Sequence, residues 1–329
     1  MTPFRSLTLL LLLTACDKPS AFGEANSLIL IGDEALWEQV GSDTYEQLER
    51  TVFTIREENT FNVTYVPSDG SEIDELLMWK QVLVFGEPGD PLIEAIAAEA
   101  KATPEVGTVL QAGDVWARGQ VATAVILEAG HEVDSWRAAL PGLAAMLDNQ
   151  YRDYALSRMF ASGVDTTLSQ SVAETYGIEL VAPRIYHGLI GDDGIIRLRN
   201  DNPRPSERIR SILIERVETD GSAIDAEGVF AWREGIDSLM YIVPQGLARA
   251  PVEPRTFDLA GADVIEVRGM WQDEGTFPAA GPFVARAVQC PDAVWYFDAW
   301  LYSPNPRASK YEFLLQLEEI LDSFRCTIS

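Results

Sequence analysis

The chain has 329 residues, of which 47% are hydrophobic and 23% are charged, a composition that predicts folded cores and excludes wholesale disorder. Its 51 acidic residues against 25 basic ones give a net charge of −26. That charge argues against a nucleic-acid partner, because binding to phosphates needs clustered Lys and Arg. The length indicates roughly two domains.

The first sixteen residues have the organisation of an export signal. Arg5 supplies a positive charge, and residues 7–13 form an apolar run that is too short to cross a bilayer core of about 30 Å. The run ends in Leu-Thr-Ala-Cys at residues 13–16, which resembles the lipobox of bacterial lipoproteins. The resemblance implies a signal peptide, residues 1–15, that is cleaved before Cys16, and lipidation of Cys16.

The lipid anchor implied by this resemblance would hold the protein at a bacterial membrane in the cell envelope. We interpret residues 16–26 as the lipidated cysteine with a short polar tether. The membrane, outer or inner, and its side, periplasmic or surface-facing, are left open. The alternatives are an ordinary secretory signal that contains a cysteine by accident and a buried N-terminal helix.

The first half of the mature chain alternates predicted strands and helices. Asp90 and Pro91 have the residue types of a helix N-cap and first helical position, and Pro141 predicts an interruption in the last helix. The strands are expected at residues 27–31, 61–66, 81–85, 109–110 and 121–127, and the helices at about 34–50, 90–101 and 131–161. This pattern predicts an N-terminal α/β layered domain over residues 27–162.

The second half is dominated by predicted strands. They lie at residues 178–181, 186–190, 195–200, 211–218, 263–270, 282–288 and 293–302, with helices at about 226–239 and 309–324. Asp193-Gly194 is a hairpin signal, and Ser309 with Glu312 fits a capping box. We expect an antiparallel sheet covered by helices, an α+β sandwich over residues 163–329, with the domain boundary within residues 162–176.

Two cysteines remain once Cys16 is set aside. Cys290 precedes a predicted strand, and Cys326 follows the last predicted helix. In an oxidising compartment a disulfide between them would fix the C-terminus, and two free thiols are the alternative. The chain contains no CxxC motif, which argues against redox catalysis and a zinc knuckle.

Motifs for catalysis are absent from the sequence. The two histidines are His131, at a predicted helix start, and His187, in a predicted strand. There is no HExxH, GxSxG, P-loop or GxGxxG motif. We therefore expect no cofactor and no metal site. The sequence favours a non-catalytic protein and leaves enzyme activity open.

Three segments contain more Trp, Arg, Gly and Pro residues than a fold alone requires: residues 114–120, residues 268–271, and the segment that begins at residues 281–283. One interpretation is a binding pocket in which Arg118 or Arg268 meets an anionic group beside a stacked Trp. The other is an internal Arg–carboxylate pair, such as Arg268 with Glu266 or Asp298, next to an aromatic core. The candidate binding residues are Asp114, Trp116, Arg118, Gln120, Arg268, Trp271, Gly281, Phe283 and Tyr302.

These three segments, together with two others, also resemble a known family. DVWARGQ at 114–120, GIELVAP at 177–183, RGMW at 268–271, GPF at 281–283 and a final helix ending in LDSF resemble a family of bacterial lipoproteins catalogued as a domain of unknown function. Ala280 stands where that family usually has glycine. The resemblance implies a cell-envelope lipoprotein and supplies no activity.

The second half also resembles Mog1/PsbP-like α-β-α sandwiches. The resemblance lies in residues 178–183, the Asp193-Gly194 hairpin and the terminal Ser323-Phe324 pair. It implies a binding or assembly module. The leading hypothesis is thus a non-catalytic, lipid-anchored binding or scaffolding protein with an envelope protein as partner. The alternatives are a glycan- or peptidoglycan-acting enzyme with Asp or Glu catalysts, and a small-ligand-binding lipoprotein.

Overall fold

The structure is a computed structural model that describes residues 18–203, 208–219, 223–240, 244–273, 275, 279–303, 305 and 307–326. Cys16 and the predicted signal peptide lie outside these residues. The described helices are α1 Glu34–Leu48, α2 Ile73–Leu76, α3 Pro91–Ala100, α4 Glu132–Met159, α5 Thr166–Tyr176, α6 Ala226–Met240 and α7 Tyr311–Asp322. None of these helices is both long and apolar enough to span a membrane.

The strands follow the predicted distribution along the chain and add five that were not predicted. The strands are β1 Ser27–Gly32, β2 Thr51–Phe53, β3 Glu57–Asn59, β4 Asn62–Pro67, β5 Gln81–Gly86, β6 Val109–Gly113, β7 Val121–Ile126, β8 Ile178–Glu179, β9 His187–Ile190, β10 Ile196–Asn200, β11 Arg210–Glu218, β12 Gln245–Arg249, β13 Arg255–Leu259, β14 Ala262–Asp273, β15 Ala280–Gln289, β16 Ala293–Leu301 and β17 Arg325–Cys326. The five that were not predicted are β2, β3, β12, β13 and β17.

The chain divides into two compact units. Unit 1 contains the described residues up to Leu48 together with Phe61–Ala144, and unit 2 contains Glu49–Thr60 and the described residues from Ala145 onward. The division falls earlier than the expected boundary within residues 162–176. The expected boundary segment is largely helix α5, which Asp165 caps by accepting from the Leu168 N–H at 3.0 Å.

Unit 1 is an α/β layer around a five-stranded sheet of order β4-β1-β5-β7-β6. The sheet is parallel except for β6, which runs antiparallel to β7 at the edge. Its central strands are apolar on both faces, as expected for a sheet covered on both sides. Asp90 caps α3 by accepting from the Leu92 N–H at 2.8 Å, as predicted.

Helix α4 runs through Pro141 without a break, so the predicted interruption is wrong. Proline removes one backbone hydrogen bond from the helix. Leu140, Leu143 and Leu147 are buried around that position. Their burial, worth about 1.5–3 kcal/mol per side chain, offsets the loss.

Unit 2 is built on an eight-stranded antiparallel sheet of order β12-β14-β15-β16-β11-β10-β9, with β13 also paired to β14. Helix α7 packs on one face, where Phe324, just beyond its end, meets Phe297 at 5.0 Å between ring centroids. Helix α6 packs on the other face, where Phe230 meets Phe283 at 6.2 Å. This arrangement confirms the predicted antiparallel sheet covered by helices.

The predicted capping box at the start of α7 is wrong. The helix begins at Tyr311, one position later than the box requires, and Ser309 does not cap it. The cap comes instead from Glu58 in β3, whose Oε2 accepts from the Lys310 N–H at 2.8 Å and the Tyr311 N–H at 3.3 Å. Ser309 Oγ donates to the same oxygen at 3.0 Å. A carboxylate at this place also complements the positive end of the helix dipole.

Candidate anion-binding site

The DVWARGQ segment forms the turn between β6 and β7 in unit 1. Asp114 has a left-handed φ of 57°, and its Oδ1 accepts from the Gly119 N–H at 2.5 Å. Gln120 is buried; its Nε2 donates to the carbonyls of Leu77 and Trp79, the latter at 2.7 Å. These hydrogen bonds give Asp114 a structural role within the turn, and they give Gln120 a structural role between the turn and residues 77–79.

The other two candidates in this segment serve the same turn. Gln120 Oε1 accepts from the Trp116 N–H at 3.1 Å, and the Trp116 ring is half-buried against the core of unit 1. Arg118 is exposed, and its backbone pairs with residues 19–21: its N–H donates to Pro19 O at 2.7 Å, and its carbonyl accepts from Ala21 N–H at 2.8 Å. The predicted tether is therefore folded onto unit 1 from residue 19, because these backbone groups are paired.

Arg268 and Trp271 do not share a pocket. Positions three apart on a strand face opposite sides of the sheet, and here Trp271 packs edge-to-face against Trp300 on the α6 side, with 5.1 Å between the ring centroids. Arg268 pairs with Glu266 at 2.9 Å and with Glu318 of α7 at 2.6 Å. The interpretation as an internal ion pair therefore holds for Arg268, with Glu266 as one partner.

The other candidates in unit 2 belong to the core. A Cβ on Gly281 would lie 1.7 Å from Leu301 O, so close strand packing demands glycine there. Phe283 is buried, with the Arg233 guanidinium 5.1 Å from its ring centroid, and Arg233 in turn pairs with Asp298 at 2.8 Å. Tyr302 is half-buried against the same cluster.

Cys290 and Cys326 form a disulfide in unit 2, with their Cα atoms 5.7 Å apart. Cys326 lies in β17, which pairs with β8. The bridge thus joins the end of the chain to the turn after β15. Among the described residues, no group of three or more His, Cys, Asp or Glu side chains is placed to hold a metal ion.

A cavity of about 530 Å³ lies in unit 2, between the ends of β9, β10 and β11 and the helices α4 and α7. Sequence reasoning did not single it out. Its polar lining consists of Arg158, Ser162, His187, Asn200, Asp201, Asn202, Arg210, Glu312 and Gln316. Met159, Ile185, Pro203 and Phe313 complete it.

Arg210 is the unusual member of this lining. Its side chain is buried, with the residue 4% exposed, and among the described residues it makes no ion pair. Nη1 donates to Gln316 Oε1 at 2.7 Å, whereas the buried Nε has no hydrogen-bond partner. The guanidinium carbon lies 5.1 Å from the centroid of the Phe313 ring and 5.8 Å from that of Tyr186. The faces of these two aromatic rings, and not a carboxylate, thus stabilise the positive charge of the guanidinium.

The acids that line the cavity are both committed to other arginines. Glu312 pairs with Arg158 at 2.8 Å, and Asp201 pairs with Arg199. These charges therefore cancel in pairs and leave Arg210 as the arginine without a carboxylate partner in the part of the lining that the structure describes. An arginine in this state offers planar hydrogen-bond donors to an anion.

Tyr186 lies against Arg210 behind the cavity wall. Burial raises the pKa of the Tyr186 hydroxyl, and the neighbouring Arg210 guanidinium acts in the opposite direction. The hydroxyl is buried and has no hydrogen-bond partner among the described residues. The Tyr186 ring thus lies beside the guanidinium, whose Nη1 donates to Gln316 and whose Nε has no hydrogen-bond partner among the described residues.

One signal in the sequence could have identified this site. In β11 the inward positions alternate as Arg210, Ile212 and Ile214, and both isoleucines belong to the core under α7. An arginine at a position where the alternation demands an apolar side chain predicts a buried cation.

Residues 165–323 match the family model described as a domain of unknown function, DUF4837. Residues 165–323 are thus similar to this family of unknown function. The predicted resemblance to a family of unknown function is thereby confirmed for this region. Most of the cavity residues, including Arg210, lie within the matched region. No curated protein matches the chain.

Several solved structures have a partial likeness to the chain. PsbP (CyanoP) of Synechocystis sp. PCC 6803 has 11% sequence identity and a TM-score of 0.34, and the match covers 49% of this chain and 88% of that one. The Ran-binding protein Mog1p of Saccharomyces cerevisiae has 13% identity and a TM-score of 0.32, and the match covers 46% of this chain and 93% of that one. LpqN of Mycobacterium tuberculosis, described as involved in cell envelope biogenesis, has 15% identity and a TM-score of 0.30, and the match covers 44% of this chain and 79% of that one. PsbP and Mog1 are thus among the similar structures, as the sequence resemblance predicts.

Proposed function

We propose that the protein is a lipid-anchored cell-envelope protein whose DUF4837-like region binds an anionic group of another envelope component, without catalysis, at Arg210. The observation that carries the proposal is the buried guanidinium of Arg210, which lines a cavity without a carboxylate partner among the described residues. Burying a charge is costly unless it is paired. An anion in the cavity would supply the missing partner.

The size and polarity of the cavity support binding of a small ligand or of a group that projects from a larger one. A volume of about 530 Å³ falls in the range typical of ligand pockets. Glu312 and Asp201, the carboxylates in the lining, are held in ion pairs. That commitment supports a binding role over proton transfer.

Thermal unfolding of the mature, full-length protein in detergent tests anion binding. Acetate is titrated at constant ionic strength into the wild type, Arg210→Gln and the matched control Arg216→Gln. Arg216 lies on the same strand but is paired with Asp292 at 3.0 Å outside the cavity. We expect a saturable rise of the midpoint in the wild type and the control, corresponding to about 1.4 kcal/mol at ten times the Kd, and no rise in Arg210→Gln. Equal responses of all three proteins would contradict the proposal.

The lipid anchor rests on the lipobox at residues 13–16. Cells that express the wild type or Cys16→Ser are labelled with a fatty acid and separated into membrane and soluble fractions. We expect label and membrane association in the wild type and neither in the variant. An unlabelled, soluble wild-type protein would contradict lipid anchoring.

A further inference from the structure

We infer that the group bound at Arg210 is a carboxylate with a single negative charge, rather than a phosphate dianion. This inference rests on the proposed function and adds the chemical class of the ligand. It follows from the charges of the cavity, from the part of the guanidinium that is unused, and from the neutral character of the remaining lining.

The charges of the cavity match one negative charge. Arg158 is neutralised by Glu312, and Asp201 is paired with Arg199, so that among the described residues of the lining Arg210 is the arginine without a carboxylate partner. A monoanion restores neutrality. A dianion would leave one excess negative charge beside the carboxylates of Glu312 and Asp201, in a chain whose net charge is already −26.

The unused part of the guanidinium fits a planar carboxylate. Nη1 is occupied by Gln316, whereas the buried Nε has no hydrogen-bond partner among the described residues, so the guanidinium keeps an unused donor on its Nε side. The rings of Phe313 and Tyr186 lie near the guanidinium and restrict its motion. Two parallel N–H donors along one edge match the two oxygens of a carboxylate.

The rest of the lining is suited to an uncharged body. Ser162, Asn200 and Asn202 offer neutral hydrogen-bonding groups, and Met159 and Ile185 offer apolar surface. A phosphate, with its three terminal oxygens, would call for further cationic or backbone N–H donors. Arg158, the other arginine of the described lining, is already paired with Glu312.

Three probes with the same methyl group test the inference on the full-length protein in detergent: acetate, methyl phosphate and acetamide. At pH 8 methyl phosphate is a dianion, because the second pKa of a phosphate ester is about 6. The concentration for half-maximal thermal stabilisation is measured for each at constant ionic strength. We expect acetate to bind about tenfold more tightly than methyl phosphate, and acetamide to give no stabilisation.

The same titrations are carried out on the Arg210→Lys variant, because lysine keeps the positive charge and lacks the planar pair of N–H donors. We expect its affinity for acetate to fall about tenfold while its circular dichroism spectrum stays that of the wild type. Methyl phosphate binding as tightly as acetate, or acetate binding unchanged in Arg210→Lys, would overturn the carboxylate assignment and leave anion binding standing. No stabilisation of the wild type by either anion would overturn anion binding itself, and with it this inference.

Discussion

Glu58 and Lys310 form a buried ion pair across 252 residues of sequence, with Glu58 Oε1 3.5 Å from Lys310 Nζ. The Lys310 side chain is fully buried, and its ammonium also donates to Ala308 O at 2.7 Å. Burial lowers the pKa of Lys310, and the charge of Glu58 counters that effect. The hairpin β2–β3 is thereby fastened to the start of helix α7 by one carboxylate.

Replacing Glu58 by Gln should destabilise unit 2 strongly. The change removes the charge that compensates Lys310 and weakens the cap of α7, and breaking a buried pair costs about 3–5 kcal/mol. Urea unfolding followed by circular dichroism measures the loss. Glu57→Gln, at the exposed neighbouring position in β3, is the control and should change the free energy of unfolding by less than about 0.5 kcal/mol. Equal losses in the two variants would contradict the assigned role.

Glu266 should stabilise unit 2 only while it is ionised. Burial raises its pKa, but Arg286 at 2.7 Å and Arg268 at 2.9 Å outweigh burial and leave the pKa below its ordinary value. A pKa that is lower in the folded than in the unfolded state gives stability that is present above the unfolded value, about 4.3, and is lost as the pH falls through the folded value. The cost of Glu266→Gln should therefore be large at pH 7 and shrink in acid. A cost independent of pH would contradict this account.

Glu318 belongs to the same ion-pair network as Glu266, but its pKa is shifted in the opposite direction, so its contribution to stability should change with pH in the opposite direction. Burial raises its pKa, and the attraction of Arg268 at 2.6 Å does not fully compensate. Its ionised form is thus disfavoured in the folded state, and its contribution to stability declines as the pH rises through its folded pKa. At pH 7 we expect Glu318→Gln to cost less free energy of unfolding than Glu266→Gln. The reverse order in urea unfolding would refute the assignment.

The sequence predicted the layers of the fold better than the connections between distant segments. Alternation and apolar runs located the main strands, and Asp90 with Pro91 located the start of α3. Helix α5 was missed although Asp165 and Gly177 flank it with cap residues, because the segment was interpreted as a boundary. The cap of α7 by Glu58 depends on a contact across 252 residues, which no local pattern contains.

The same contrast applies to the candidate sites. Arg268 attracted attention by its neighbours in sequence, yet strand geometry places it opposite Trp271 and beside Glu266. Arg210 carried only the weak signal of a cation at an inward strand position. The positions of α4, β10 and α7 determine that Glu312 and Asp201 pair with other arginines and not with Arg210. Tertiary packing sets these positions, so no local sequence pattern contains them.

The DVWARGQ turn should be structural, with Gln120 as its central residue. Gln120→Leu would leave two buried carbonyls and the Trp116 N–H without their partner, at about 1–3 kcal/mol for each unsatisfied group. Thermal unfolding should show a loss of several kcal/mol in unit 1. Arg118→Gln, at an exposed position of the same turn, should change the midpoint little. A Gln120→Leu protein as stable as Arg118→Gln would show that the amide is dispensable.

The disulfide between Cys290 and Cys326 should contribute substantially to the stability of unit 2. It closes a loop with a sequence separation of 36 residues, for which chain entropy gives about 4 kcal/mol. We expect the double variant Cys290→Ala/Cys326→Ala to unfold at lower urea concentration, and reductant to lower the midpoint of the wild type alone. A wild-type midpoint that is insensitive to reductant would contradict this expectation.

The central claim, that an anion binds at Arg210, is tested most directly by NMR of the arginine Nε–H groups in the full-length, ¹⁵N-labelled protein. The Arg210 signal is identified by its disappearance in Arg210→Lys. On titration with acetate we predict a saturable shift of the Arg210 Nε–H signal and slower exchange with water, while Arg216 Nε–H, on the same strand and outside the cavity, stays in place. An Arg210 signal that does not move as acetate is added, or that moves only in parallel with Arg216, would contradict the claim.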